Sequence, residues 1–271
     1  MTLATIGMFW DGPPLGFIER LCVTSFIDAG HPVVVFSYGK VEGLPEGVEA
    51  APASDILPDP ETMIRHERTG SPAPYSDKFR YHLLARHDGM IWADTDAYCL
   101  RPFEPRDGYF FGRETDNVVA SGVMALPATS PTLQSLIGFC DDEYAVPRWM
   151  RPVHLVEIER RAAAGDPMHV SEMPWGVWGP KALSYFLFEH DEFRHALPPH
   201  VLYPVSFADR RLYFRKSAMT WRHVREDTVS IHFYGRRCRQ FLKLKYDGVP
   251  PSHSILAELA AKHGIEPVSA A

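Results

Sequence analysis

Apolar residues in this chain fall into short unbroken runs and helix-spaced sets, separated by turns rich in Gly, Pro and Asp. Residues 2–9 form an apolar run closed by Asp11-Gly12-Pro13-Pro14, which predicts a strand followed by a turn-forming loop. Phe17, Ile18, Leu21, Cys22, Ser25 and Phe26 then recur at helical spacing, with Gly30 just beyond as a stop signal. Val33-Val34-Val35-Phe36 is a β-branched run of the kind found in strands buried on both faces. Strand, helix and strand in that order make a βαβ unit, which builds parallel sheets.

Residues 39–60, rich in Gly, Pro, Glu and Asp, read as connecting surface, and residues 69–74 as a second loop. A helix is predicted over residues 76–86, with Ser76 as N-cap and Phe79, Leu83 and Leu84 along one face. Gly89 stops it, and Met90-Ile91-Trp92-Ala93 is a further strand whose carboxyl end carries Asp94-Thr95-Asp96. Ligands of open α/β sheets bind outside the carboxyl ends of strands, so a site is expected there. Strands are predicted over 108–112, 118–126 and 229–233, and helices over 131–140, 153–164 and 180–188. Residues 210–221 alternate polar and aromatic side chains and suggest a hairpin, while Arg236, Arg237, Arg239, Lys243 and Lys245 form a basic tail.

The formal charge of −6 over 271 residues argues against a general nucleic-acid binder, and 45% hydrophobic residues supply a buried core. Cys22, Cys99, Cys140 and Cys238 lie far apart without metal spacing and read as reduced thiols. Residues 1–12 lack a basic signal-type start, and no apolar run approaches the roughly 20 residues of a membrane span. A cytoplasmic protein with at most peripheral membrane contact is expected. No GxxxxGK[ST], post-strand GxGxxG or GxSxG motif occurs, which removes the main support for P-loop NTPases, dinucleotide-binding dehydrogenases and serine hydrolases.

Two carboxylates two residues apart at a strand-end turn suit a hard divalent cation, which takes oxygen ligands and shares them with phosphates. The same spacing also occurs in solvated acidic turns. The surrounding residues carry more: Ser76-Asp77-Lys78-Phe79-Arg80-Tyr81, Leu84, Gly89, Trp92-Ala93-Asp94-Thr95-Asp96 and Leu100-Arg101-Pro102-Phe103. This stretch resembles the sugar-binding region of DxD glycosyltransferases of the GT-A fold, nearest to family 32 with its α-1,4-galactosyl-, α-1,4-N-acetylglucosaminyl- and α-1,6-mannosyltransferases. One glycine, Gly89, stands where many relatives have two.

The resemblance implies an α/β fold with a Rossmann-like mixed sheet flanked by helices, in a single domain. That domain is expected over residues 1–250, its donor-binding part over about 1–126 and its acceptor side with the C-terminal metal and diphosphate element over about 127–250. Residues 251–271 then form a C-terminal helix or tail, and a helical subregion around 141–200 covers the acceptor side. Asp94 and Asp96 are implied as ligands of Mn²⁺ or Mg²⁺, and Asp77 with Arg80, neighbours on one helix face, as contacts to donor sugar and diphosphate. Ser230-Ile231-His232-Phe233-Tyr234-Gly235 resembles the late H-x-x-G element, which makes His232 the third ligand and places Gly235 and Arg236 beside the donor. The related family 8 pattern has a Lys three residues after that Gly, where this chain has Cys238.

Phe9 and Trp10, in Phe9-Trp10-Asp11-Gly12, match the opening of the family and join Trp92, Thr95, Ser121 and Gly122 as donor-site candidates. Trp175 and Trp178, spaced by Gly176 and followed by Gly179-Pro180, are acceptor-side candidates, since aromatic faces suit sugar rings. The implied activity is metal-dependent transfer of a hexose or N-acetylhexosamine from a nucleotide sugar, UDP-linked by expectation. Retention of configuration, a glycan or lipid-linked saccharide acceptor and a role in polysaccharide biosynthesis belong to the same expectation. Two alternatives stay open: a sugar nucleotidyltransferase, disfavoured because Asp11-Gly12-Pro13-Pro14-Leu15-Gly16 has no Lys or Arg, and a non-catalytic glycan-binding module on the same fold.

Overall fold

In the computed structural model, which describes residues 2–267, the first βαβ unit comprises β1 (Ile6–Phe9), α1 (Phe17–Asp28) and β2 (Val33–Ser37). β1 and β2 are parallel, with Ile6 opposite Val33. Gly30 follows α1 at φ +91°, a left-handed conformation that glycine adopts without steric cost. All four residues of β1 are buried, so the run reads as apolar because both sheet faces are covered.

β3 (Val48–Pro52) lies within the stretch expected to be connecting surface. It pairs parallel to β2 at the sheet edge, and its side chains are partly exposed, so its apolar signal is weak. α2 (Ala73–Arg86) begins three residues before the expected cap. Pro74 in the first turn presets the backbone there, and Ser76 is left inside the helix, its Oγ accepting from Arg80 Nη2 at 3.2 Å. β4 (Ile91–Ala93) follows, then a turn into β5 (Ala97–Cys99), a three-residue strand with no sequence signal of its own.

β6 (Phe110–Thr115) and β7 (Val118–Ala125) form an antiparallel pair. β6 starts later than the pattern predicts because Asp107 and Gly108 take positive φ in the preceding turn. The main sheet runs β3-β2-β1-β4-β7-β6, with β1 to β4 parallel and β7 antiparallel to β4. This mixed α/β sheet flanked by helices is the architecture expected from the sequence.

α3 (Pro131–Cys140), α4 (Pro152–Ala163) and α5 (Pro180–Glu189) fall where apolar spacing predicts helices, and they are followed by the short α6 (Pro199–Leu202). No hairpin forms over residues 210–221. Arg210–Phe214 is a 3₁₀ turn and α7 (Ser217–Trp221) a short helix, because Tyr213 and Phe214 bury into the cluster containing Phe17, Tyr98 and Phe233. β8 (Ser230–His232) pairs antiparallel with β5 in a separate two-stranded sheet.

The basic tail is α8 (Gly235–Tyr246), and α9 (Ile255–Lys262) packs Ile255, Leu256 and Leu259 into the same cluster as α1. Residues 268–271, the end of the expected C-terminal tail, lie outside the described residues. All four cysteines are buried and unpaired. Among the described residues no helix is long and apolar enough to cross a membrane.

Candidate metal centre and substrate cleft

Asp94 leaves the end of β4 with its N–H donating to the Gly122 carbonyl of β7 at 2.7 Å. The turn closes as the Ala97 N–H donates to the Asp94 carbonyl at 2.9 Å, and this reversal brings Asp96 back beside Asp94. Register supplies the third group: β5 pairs with β8 so that Ala97 lies opposite His232. One side-chain ligand atom from each of Asp94, Asp96 and His232 lies within 4.8 Å of the other two. His232 Nε2 stands 3.1 Å from Asp96 Oδ1 and 3.7 Å from Asp94 Oδ2.

His232 Nε2 and Asp96 Oδ1 are buried and face each other as an ion pair, but at angles that leave both without a well-formed hydrogen bond. Buried polar atoms left in this way are costly, and a shared cation satisfies them. Adjacent ligands of an octahedral ion with bonds of about 2.1 Å lie roughly 3 Å apart, as these two atoms do. The donor set of two carboxylates and an imidazole suits Mn²⁺ or Mg²⁺ sharing phosphate oxygens. Ligation through Nε2 requires the ring proton on Nδ1, which releases the 3.3 Å contact from the Tyr234 N–H.

Electrostatics tie the three groups together. Burial opposes the charged imidazole of His232, but Asp96 and Asp94 outweigh it and push its pKa up to about 10. Burial likewise opposes the Asp96 carboxylate, yet His232 and the Gly235 N–H, which donates to Oδ2 at 2.5 Å, hold it well below the usual carboxylate range. That N–H belongs to the first turn of α8, and Tyr234, at φ 53°, aims the helix start at Asp96.

Behind Asp94 sits a buried polar layer. Arg80 Nη2 lies 3.2 Å from Asp77 Oδ1 and 3.4 Å from Asp94 Oδ1. Nη2 also donates to the Ser76 hydroxyl, Nε donates to the Ser76 carbonyl and Nη1 to the Ser121 carbonyl, and the guanidinium rests 4.7 Å from the Trp92 ring centre. Trp92 Nε1 also donates to Asp94 Oδ1 at 2.9 Å. Arg80 and Trp92 thus spend their donors on the protein and fix the Asp94 rotamer. Asp77, with 8% of its side chain exposed, has its pKa raised to about 6, chiefly by burial and against the pull of Arg80.

Glycines make room for these groups. A Cβ on Gly122 would stand 2.7 Å from His232 Nε2, one on Gly179 2.7 Å from Asp77 Oδ2, and one on Gly235 2.9 Å from Asp96 Cβ.

A cavity of 730 Å³ opens over the centre and is bordered by Asp77, Arg80, Ser121, Gly122, Trp175 and Arg236 among others. Phe9 and Trp10 do not border it. Phe9 stacks on Phe79 in the core at 4.5 Å, and Trp10 caps the following loop by donating to the Pro13 carbonyl at 2.8 Å. Thr95 and Trp92 also stay outside the cavity wall. Both tryptophans expected on the acceptor side border the cavity: Trp178 is buried, its carbonyl accepting from Tyr81 Oη at 2.7 Å, while Trp175 is 43% exposed. Cys238 is buried with Sγ donating to the Phe233 carbonyl, so the cations bordering the cavity from α8 are Arg236 and Arg237.

Tyr203, Glu114, Arg68 and Lys181 also border the cavity and carried no motif. Tyr203 arrives from the end of α6 and accepts the Val123 N–H at 3.0 Å, a placement that only the tertiary fold provides.

No family model and no curated protein sequence matches this chain. Among solved structures it is similar to PaToxG glycosyltransferase, at 13% identity over 71% of each chain and a TM-score of 0.45. It is also similar to a transferase carrying two cysteine-to-serine substitutions, at 13% identity over 62% of this chain and 88% of that one, with a TM-score of 0.35. A third likeness is to the apo WbbM bifunctional glycosyltransferase, at 13% identity over 86% of this chain and 46% of that one, with a TM-score of 0.37. Likenesses this distant leave the chemistry of this chain to be argued from its own residues.

Proposed function

We propose that this chain is a divalent-cation-dependent glycosyltransferase that moves a hexose or N-acetylhexosamine from a nucleotide sugar to a glycan or glycolipid acceptor. The observation that carries the reading is the convergence of Asp94, Asp96 and His232, with Asp96 Oδ1 and His232 Nε2 buried and lacking a well-formed hydrogen bond, at the floor of an open cleft. Asp94, Asp96 and His232 would hold Mn²⁺ or Mg²⁺, which when bound supplies a Lewis acid toward a departing diphosphate.

The chain's own side chains divide the remaining work. Arg80, held by Asp77, Ser76 and Ser121, keeps Asp94 oriented and limits its freedom before substrate arrives. Arg236 and Arg237 bring positive charge to the cleft wall at the start of α8, where a diphosphate needs it. Ser121 and Gly122 line the floor beside Asp94 and leave space for a sugar ring. Beyond the proposed ligands and Asp77, which is paired with Arg80, the carboxylate bordering the cleft is Glu114, and retention of configuration is the expectation carried by the resemblance. A UDP-linked donor is the expected one by the resemblance described above.

The test is a donor screen in Mn²⁺ that measures nucleoside diphosphate released by slow hydrolysis without acceptor. Release from one nucleotide sugar, lost in Asp96→Asn and on chelation, is the expected result. Release from none by the wild-type chain would refute the proposal.

A further inference from the structure

A second cavity, of 1010 Å³, adjoins the cleft and shares His66, Arg68, Pro174, Trp175 and Lys181 with it. This second cavity is floored by Trp149, Met150, Ile158 and Met173, an apolar surface suited to the face of a saccharide. Trp149 is fixed there by donating Nε1 to the Val177 carbonyl at 2.9 Å.

The charges of that cavity are unevenly matched. Its acids are occupied: Glu157 takes two bonds from Arg160, at 2.7 and 2.8 Å, and Glu172 accepts from Arg161 at 2.6 Å. Glu67 accepts the Ser171 hydroxyl at 3.1 Å. Among the described residues, no carboxylate lies within ion-pairing distance of Arg68, Arg151 or Lys181. Arg151 Nη2 meets only the ring of His154, at 3.2 Å.

Arg151 caps the start of α4 and Lys181 lies in the first turn of α5, so two chain segments bring cations to the border of this cavity. The Lys181 ammonium is held below its ordinary pKa, first by burial and then by Arg151. Two cations brought together beside an apolar floor, with every nearby acid engaged elsewhere, make a seat for an anion.

We infer that the acceptor is a saccharide carrying an anionic group, a phosphate or a carboxylate, seated in this second cavity against Arg151 and Lys181. The inference rests on the proposed glycosyl transfer, since the second cavity shares five bordering residues with the cleft that holds the candidate metal centre. The donor diphosphate does not account for Arg151, which borders the second cavity and not the cleft.

Tryptophan fluorescence titrations of the full chain in Mn²⁺ buffer test this with three probes: trigalacturonate, maltotriose phosphate and neutral maltotriose. One charged probe is expected to bind on the order of tenfold tighter than maltotriose or better, the effect of one charge-assisted contact. Preference between the carboxylate and phosphate probes identifies which anion the site takes. Arg151→Gln, at an exposed position, should bring the charged probe down to the affinity of maltotriose while leaving acceptor-free nucleoside diphosphate release unchanged. Lys181→Gln should weaken the same probe. Equal binding of charged and neutral probes, no binding of any, or full retention of the preference in both variants would overturn the inference. Failure of the transfer reading itself appears separately, as absent nucleoside diphosphate release by the wild-type chain.

Discussion

Gly122 shows how little space the candidate metal centre leaves. An alanine there would place Cβ 2.7 Å from Nε2 and 2.9 Å from Cδ2 of His232, and 3.3 Å from Asp94 Oδ2. The atoms met belong to a buried ring and not to a flexible chain end, so β7 or the imidazole has to move. Gly122→Ala is therefore expected to weaken Mn²⁺ binding by roughly 10- to 100-fold, the range seen when the surroundings of a ligand are disturbed, as calorimetric titration would show. Gly138, inside α3 with open space around its Cβ position, is the control. Gly138→Ala should leave Mn²⁺ binding unchanged and stabilise the chain by about 0.5–1 kcal/mol, because it removes backbone freedom from the unfolded state. Asp77 is a different kind of residue-scale device. Its folded pKa, about 6, lies above its ordinary value of 3.8, so the folded chain favours the protonated form. Its contribution to stability is present below pH 4 and is lost as pH rises through 6. Asp77→Asn removes this dependence, so in chelator the variant should gain on the wild type by up to about 3 kcal/mol between pH 4 and pH 7, as denaturant melts at the two pH values would record. A constant difference would show that Asp77 does not ionise in that interval.

At the scale of elements, what the chain's pattern reveals depends on burial. β1, β2 and β4 are covered on both faces, and the unbroken runs at Val33-Val34-Val35-Phe36 and Ile91-Trp92-Ala93 announce them. β3 lies at the edge with half-exposed side chains, and β5 is three residues long, so neither produces a periodic signal. Residues 210–221 mislead because their aromatics are spaced by the needs of the Phe17–Tyr98–Phe233 cluster and not by a strand pleat. In the candidate site, Asp94, Asp96, His232, Asp77 and Arg80 could be named from local motifs, but the division of labour could not. That Arg80 spends its donors on the protein, and that Tyr203, Lys181 and Arg68 reach the cleft, depends on contacts far apart in sequence. Glu192 illustrates such a contact. It is 4% exposed and accepts from Tyr109 Oη at 2.6 Å, Ser130 Oγ at 2.7 Å and the Thr132 N–H at 3.2 Å, joining the start of α3 to the turns before β6 and after α5. Burial opposes its charge, but the three bonds prevail and lower its pKa. A lowered folded pKa stabilises above the ordinary carboxylate value and is lost as pH falls through the folded value. Glu192→Gln should thus cost about 1–3 kcal/mol at pH 7, with the deficit shrinking toward pH 3 and little change in metal binding. A deficit independent of pH in denaturant melts would count against the charged role.

Across the whole molecule, the candidate centre joins three separate parts of the chain. Asp94 extends from the six-stranded sheet, His232 belongs to the two-stranded sheet, and Asp96 lies in the turn between β4 and β5 with the first amide of α8 against it. Without a cation, the repulsion of Asp94 and Asp96 is relieved mainly by Arg80 and His232. A bound cation would be held by these same three side chains, which come from both sheets and the turn between them. Because this arrangement exists only in the folded chain, cation binding must add to folding free energy by mass action, about 2.7 kcal/mol at a hundredfold excess over Kd. For a chain of this size that amounts to a rise in Tm of roughly 5–10 °C. Mn²⁺ should therefore raise the melting temperature in a concentration-dependent way, and chelator should return it to the apo value. Asp96→Asn should abolish the rise, because it removes a carboxylate oxygen and leaves a poor ligand in its place. His232→Ala should reduce the rise without eliminating it, since two carboxylates remain and hard cations bind oxygen alone. A rise of equal size in Asp96→Asn would place the cation elsewhere, and the reading of these three residues as a metal centre would have to be given up.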